Sequence, residues 1–193
     1  MDDRRHVILN ACERLLHRYG PHKTTMADIA REAHVAVGSV YLEFDSKEAI
    51  LEELSRKKHR TVLEAMRLAV VVQRPWPERL RAALDARTDA FLEIADDGHH
   101  GSDLVHCSSN AVQGAHEAFK REELALIADL LREGTKAEEL DVARPEVTAR
   151  AVLVAYARFA PPWLFSAPRE ETRALLRTVH DVVLYGLVRR KRR

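Results

Sequence analysis

Apolar positions in this chain recur every three or four residues, the spacing that gathers side chains on one face of an α-helix. Val7, Ile8, Ala11, Cys12, Leu15, Leu16 and Tyr19 mark a first helix from about Asp3, which Gly20-Pro21 ends. Thr25 is placed to cap a second helix, with Asp28 three residues on as a shortened reciprocal cap, and Ile29, Ala30 and Ala33 form its stripe. From Val37 to Phe44 a third short helix puts Val40 and Phe44 on one face. Val37, Ser39, Tyr41 and Leu42 then point elsewhere. Ser46 caps a long fourth helix carrying Ile50, Leu51, Leu54, Val62 and Met66 towards Val72.

Pro75-Trp76-Pro77 interrupts the pattern, and Pro77 suits the first turn of the next helix, with Leu80, Leu84, Phe91 and Ala95 before a stop at Asp96-Asp97-Gly98. Ser102 to about His116 and Glu117 to Arg132 read as two helical segments, with Gly134 as terminator and a loop from Asp141 to Pro145. An apolar helix from Pro145 to Ala160 is closed by Pro161-Pro162, and Pro168 to Val188 forms the last. No stretch alternates as a strand does, so the expected fold is all-α.

Small Ala30 lets a second helix cross closely over the first, and a compact pair of this kind is the helix-turn-helix, whose second helix fits a DNA major groove. The residues Thr24-Thr25 with Ile29-Ala30, then Ala33, Val35, Gly38-Ser39, Tyr41 and Phe44, then Ser46-Lys47-Glu48 and Leu51, resemble the DNA-binding segment of TetR-type transcriptional regulators. The resemblance covers Thr24 to Leu51 and fades after about Ser55. It departs at three places. His34 stands at a corner usually held by Gly, Ala36 replaces the usual Ser cap, and Glu43 stands where an aromatic or His often approaches a phosphate.

The resemblance implies a three-helix DNA-binding domain at residues 1–50 and a larger helical ligand-binding and dimerisation domain at 51–193. It implies that Thr24, Thr25, Tyr41 and Lys47 hold phosphates while Val37, Ser39 and Leu42 face base edges. Phe44 reads as core. The implied activity is that of a homodimeric repressor, released from a palindromic operator in double-stranded DNA by a small-molecule effector. Its pocket would draw on Phe91, His100, Cys107, Phe119, Tyr156, Phe159 and Trp163.

Composition narrows the alternatives. At 193 residues with 46% apolar and 32% charged, the chain can bury a substantial core. A net charge of only +1 disfavours indiscriminate DNA binding but allows local phosphate contacts. The longest apolar run, Ala151 to Ala157, is far short of the ~20 residues that span a bilayer. The start Met1-Asp2-Asp3-Arg4-Arg5 is no secretory leader, so a cytoplasmic, non-membrane protein with thiols at Cys12 and Cys107 is expected.

Other features stay open in the sequence. Ala149, Val152, Tyr156 and Phe159, with Leu175, Val179, Val182, Val183 and Gly186, serve either the monomer's core or a four-helix dimer interface. His99, His100, Asp103, His106, Cys107 and His116 suggest a metal or haem sensor, yet their spacing fits no standard zinc signature, so neither metal nor cofactor is assigned. Arg189 to Arg193 is either a solvated tail or an attractor of nucleic acid or lipid headgroups. Adjacent His106 and Cys107 make a poor catalytic dyad, and no phosphate loop is present, so an enzyme is not expected. A constitutive DNA-binding regulator without an inducer is the remaining alternative.

Overall fold

Gly20 breaks the first helix by a backbone twist that side chains resist: its φ is +74°, and Pro21 behind it lacks an N–H to continue the ladder. The computed structural model describes residues 2–70, 74–96, 100–105 and 109–187. Over these it is helical throughout, with no strand. The α-helices are α1 (Asp2–Lys23), α2 (Met26–Glu32), α3 (Val37–Glu43), α4 (Lys47–Ala69), α5 (Trp76–Asp96), α6 (Asn110–Lys136), α7 (Pro145–Ala155) and α8 (Arg169–Leu187). Short 3-10 turns occupy Gly101–Leu104, Ala157–Phe159 and Trp163–Ser166.

The chain divides into two compact units, one of Met1–Arg60 with Glu93–Ala118, the other of Thr61–Leu92 with Phe119–Arg193. In the first, Ile8, Cys12 and Leu16 of α1 close over Ile29 and Ala30 of α2, Val40 of α3, Phe44, and Ile50 and Leu54 of α4. Cys12 is wholly buried, and that burial pushes its thiol up to about 12, an inert packing residue. Beside this core, His59 on α4 and His116 on α6 meet ring to ring, 3.3 Å between Nε2 and Nδ1. The Nδ1–H of His59 donates to the Ser55 carbonyl at 2.9 Å, which leaves Nε2 to accept from His116.

In the second unit Phe91 and Phe119 pack edge to face at 5.6 Å, and Tyr156 lies against Phe159 at 6.0 Å. Two buried polar links cross this apolar core. Arg87 pairs with Glu123 and also donates to the Phe159 carbonyl at 3.3 Å. The Tyr156 hydroxyl donates to His180 Nδ1 at 2.6 Å, and His180 Nε2 donates to Asp85 at 2.7 Å.

Three expectations need correction. Residues 102–132 do not form two helices from Ser102: a 3-10 turn precedes one continuous α6. Gly134 does not end α6 but lies inside it, because the returning chain leaves no room for a Cβ, which would sit 2.5 Å from Leu140 Cδ1. The helix ends beyond, at Lys136, and the turn after it includes Glu138, whose φ is +60°. Finally, the helix from Pro145 stops at Ala155, and Ala149, Val152, Tyr156 and Phe159 are buried within their own unit. Of the two uses left open for those four residues, they serve the core. The apolar side chains that remain exposed are Val147 and Val154 of α7 and Leu175 and Val182 of α8.

Candidate nucleic-acid interface

The local chemistry of α2 and α3 sets the candidate surface. Thr25 accepts from the Asp28 amide at 3.2 Å while the Asp28 carboxylate accepts the Thr25 amide at 3.1 Å and its hydroxyl at 2.6 Å, a complete capping box. The Thr25 hydroxyl, then its amide, then Arg31 hold the Asp28 carboxyl below the usual carboxylate range. At the corner His34 takes the left-handed conformation, φ +56°, that the missing glycine would favour. The strain for a non-glycine residue is about 1 kcal/mol. The Val35 amide closes the corner on the Ala30 carbonyl at 3.0 Å. Ala36 gives α3 no side-chain cap, as its side chain requires.

The face of α3 divides as its spacing predicts. Val40 and Phe44 are buried, whereas Val37, Tyr41 and Leu42 are 41%, 52% and 81% exposed and Ser39 is half-buried. Gly38 faces open space: a Cβ there would meet no protein atom within 4 Å. Nothing within the chain demands glycine at that place, although glycine costs a helix ~1 kcal/mol relative to alanine.

The expected phosphate-holding residues separate. Thr25 and Tyr41 reach solvent. Thr24 does not: it is 2% exposed and its hydroxyl donates to the Gly20 carbonyl at 2.9 Å. Lys47 is half-buried, its ammonium donating to the Pro21 and Thr24 carbonyls at 2.8 and 3.2 Å. It rivets the start of α4 to the α1–α2 corner and keeps one N–H for another acceptor.

Sequence reading missed Arg5. From the first turns of α1 it donates to the Glu43 carbonyl at the end of α3, at 2.7 Å. Its guanidinium also lies 4.0 Å over the Phe44 ring and pairs through two nitrogens with Glu53 of α4. One signal was available: α3 has no basic residue in its own last turn.

The expected effector residues separate as well. Phe91 with Phe119, and Tyr156 with Phe159, form two buried aromatic pairs in the second unit. Trp163 is 60% exposed. His100 belongs to the first unit, where it bonds Asp103 at 2.9 Å and its ring covers Gly20. Cys107, His99, His106 and the tail Arg189 to Arg193 lie outside the described residues. A cleft beside Phe159, Arg158 and Thr172 has about 20 Å³ of water-accessible room, enough for one water. Among the described residues no three His, Cys, Asp or Glu are grouped to hold a metal, and no helix is long and apolar enough to cross a membrane.

Comparison with known proteins bears on this surface directly. Residues 8–54 match the model of bacterial regulatory proteins of the tetR family. The probable HTH-type transcriptional regulator ArpR of Pseudomonas putida is 30% identical over 154 residues, 72% of this chain and 71% of ArpR. The uncharacterized HTH-type regulator YhgD of Bacillus subtilis is 24% identical over 96% of this chain and 97% of its own. In fold, the chain is similar to the transcriptional regulator FadR of Bacillus subtilis, solved with stearoyl-CoA, at a TM-score of 0.70. The two share 20% identity over 94% of this chain and 98% of FadR. An outward-facing second helix in a capped helix-turn-helix, matched over its whole length, thus has one interpretation: the chain belongs to the TetR family and is a DNA-binding transcriptional regulator.

Proposed function

We propose that the protein is a homodimeric repressor in the cytoplasm that leaves a palindromic operator when a small apolar effector binds. The outward face of α3 is the observation that carries the reading: Val37, Tyr41 and Leu42 are spent on no internal contact that would bury them, and Gly38 opens a place where a DNA backbone can approach. Val37, Ser39 and Leu42 read bases, while Thr25, Tyr41 and the remaining N–H of Lys47 meet phosphates. Residues 1–50 bind DNA and residues 51–193 sense and dimerise. A two-fold is supported by the exposed apolar side chains Val147, Ala151 and Val154 on α7 and Leu175 and Val182 on α8, which cost solvation unless a second copy covers them. An apolar effector is supported by the aromatic cluster around Phe91 and Phe119, and a fold neighbour holds stearoyl-CoA. In this reading α4, whose residues belong to both units, carries the effector's influence to α3.

A specific observation favours a second reading. The aromatic cluster is closed and the cleft near it holds about one water, as suits a constitutive regulator. One experiment separates the two. Wild-type protein selects duplexes from a randomised pool, and the winners are footprinted with and without a panel of apolar ligands. Protection of an inverted repeat that a ligand abolishes supports the inducible repressor. Protection that no ligand alters supports the constitutive one, and the absence of any selected repeat overturns both.

A further inference from the structure

A seven-residue helix has no stability of its own in water, and α3 lacks both a side-chain N-cap and a basic residue in its last turn. Its direction is therefore imposed from outside. Val40 and Phe44 fix how deeply it sits, but two apolar anchors in a row leave it free to tilt about the line joining them. At its C-terminal end Arg5 donates to the Glu43 carbonyl. One planar guanidinium takes the Glu43 carbonyl, covers the Phe44 ring and grips both carboxylate oxygens of Glu53. The fork thus ties α1, α3 and α4 at one point, and it places a positive charge at the end of α3 where the helix dipole is negative. A lysine cannot do this, since it has neither a flat face to stack nor two parallel donors.

We infer that Arg5 is the positioning residue of the base-reading helix: it sets the tilt at which α3 presents Val37, Ser39 and Leu42, without touching DNA itself. The inference rests on α3 being the reader. With its donors turned inward, Arg5 acts on sequence discrimination rather than on phosphate attraction.

The test measures affinity for two duplexes, the one selected by wild-type protein and a scrambled duplex of the same length. Arg5→Met is expected to lose about tenfold on the selected duplex and less than about threefold on the scrambled one, with the salt slope unchanged. Arg5→Lys is expected to follow Arg5→Met although it keeps the charge, and Glu53→Gln to shift the same way by a smaller factor. Full activity in Arg5→Lys would overturn the inference, because charge alone would then suffice. Equal losses on both duplexes with the salt slope reduced by about one would do so too, since Arg5 would then be a phosphate contact. A loss that vanishes when variants are compared at equal distance below their melting temperatures would mean simple destabilisation. Hydrogen exchange gives an arm independent of DNA: the Phe44 amide, bonded to the Val40 carbonyl at 2.9 Å, should exchange faster in Arg5→Met, while the Ala33 amide of α2 does not change. An unaltered Phe44 amide refutes the clamp. If wild type selects no duplex, the assignment of α3 as reader fails, and the exchange arm still decides whether Arg5 holds it.

Discussion

The two compact units each bury a polar pair, and the two pairs differ in kind. In the first, the buried His59 imidazole bonds the Ser55 carbonyl and the ring of His116. In the second, Arg87 and Glu123 are an ion pair removed from water, each about 4% exposed. A neutral pair is cheap to bury but reacts to protons. An ion pair is expensive to bury and reacts to the loss of either member. The first unit should therefore lose stability in acid through His59, and the second should tolerate single changes at Arg87 or Glu123 poorly.

The sharpest way to break this contrast is Glu123→Leu, which strands Arg87 among Phe91 and the Phe159 carbonyl. A loss of about 3–5 kcal/mol in urea unfolding is expected. The double change Arg87→Met with Glu123→Leu should recover most of it, and no recovery would show that packing rather than charge is at stake. Acid comes next. Unfolded, the His59 imidazole titrates near 6.5; folded, burial first and the facing His116 second push it down to about 4. Between those values the unfolded chain holds the extra proton. Stability is then complete above pH 6.5 and drains as the pH falls towards 4, by at most ~1.4 kcal/mol per unit. Subtracting the profile of His59→Phe isolates this contribution, and identical slopes for the two proteins would refute it. The smallest effect sharpens the comparison at the surface: Gly38→Ala should stabilise the fold by ~0.5–1 kcal/mol, because nothing occupies the space, while weakening operator binding. A variant that gains stability and binds as well as wild type would remove Gly38 from the interface.

How much of this was legible depended on the distance in sequence over which residues act. The break in α1 at Gly20, the Thr25–Asp28 box and the inward Val40 and Phe44 follow from neighbours within about four residues, which a helical period registers, while the left-handed His34 was legible only through the resemblance. Arg5 with Glu53, His59 with His116, Arg87 with Glu123 and Asp85 with His180 are separated by 48, 57, 36 and 95 residues. No periodicity signals those pairs. Apolar patterning also failed to separate buried from exposed positions on α7: Ala149 and Val152 look no different in sequence from Val147 and Val154, yet the first two are buried and the last two exposed. Thr24 and Lys47 were read from motif alone, and the motif does not tell that both are engaged with the carbonyls behind them.

The tight return after α6 carries a lesson for anyone randomising this chain. A Cβ at position 134 would press on the Leu140 side chain and force it to move, whereas four residues later Glu138 holds a left-handed backbone that glycine or asparagine would adopt with less strain. A library that mutates both should thus keep glycine at one site and gain change at the other, although each belongs to the same bend.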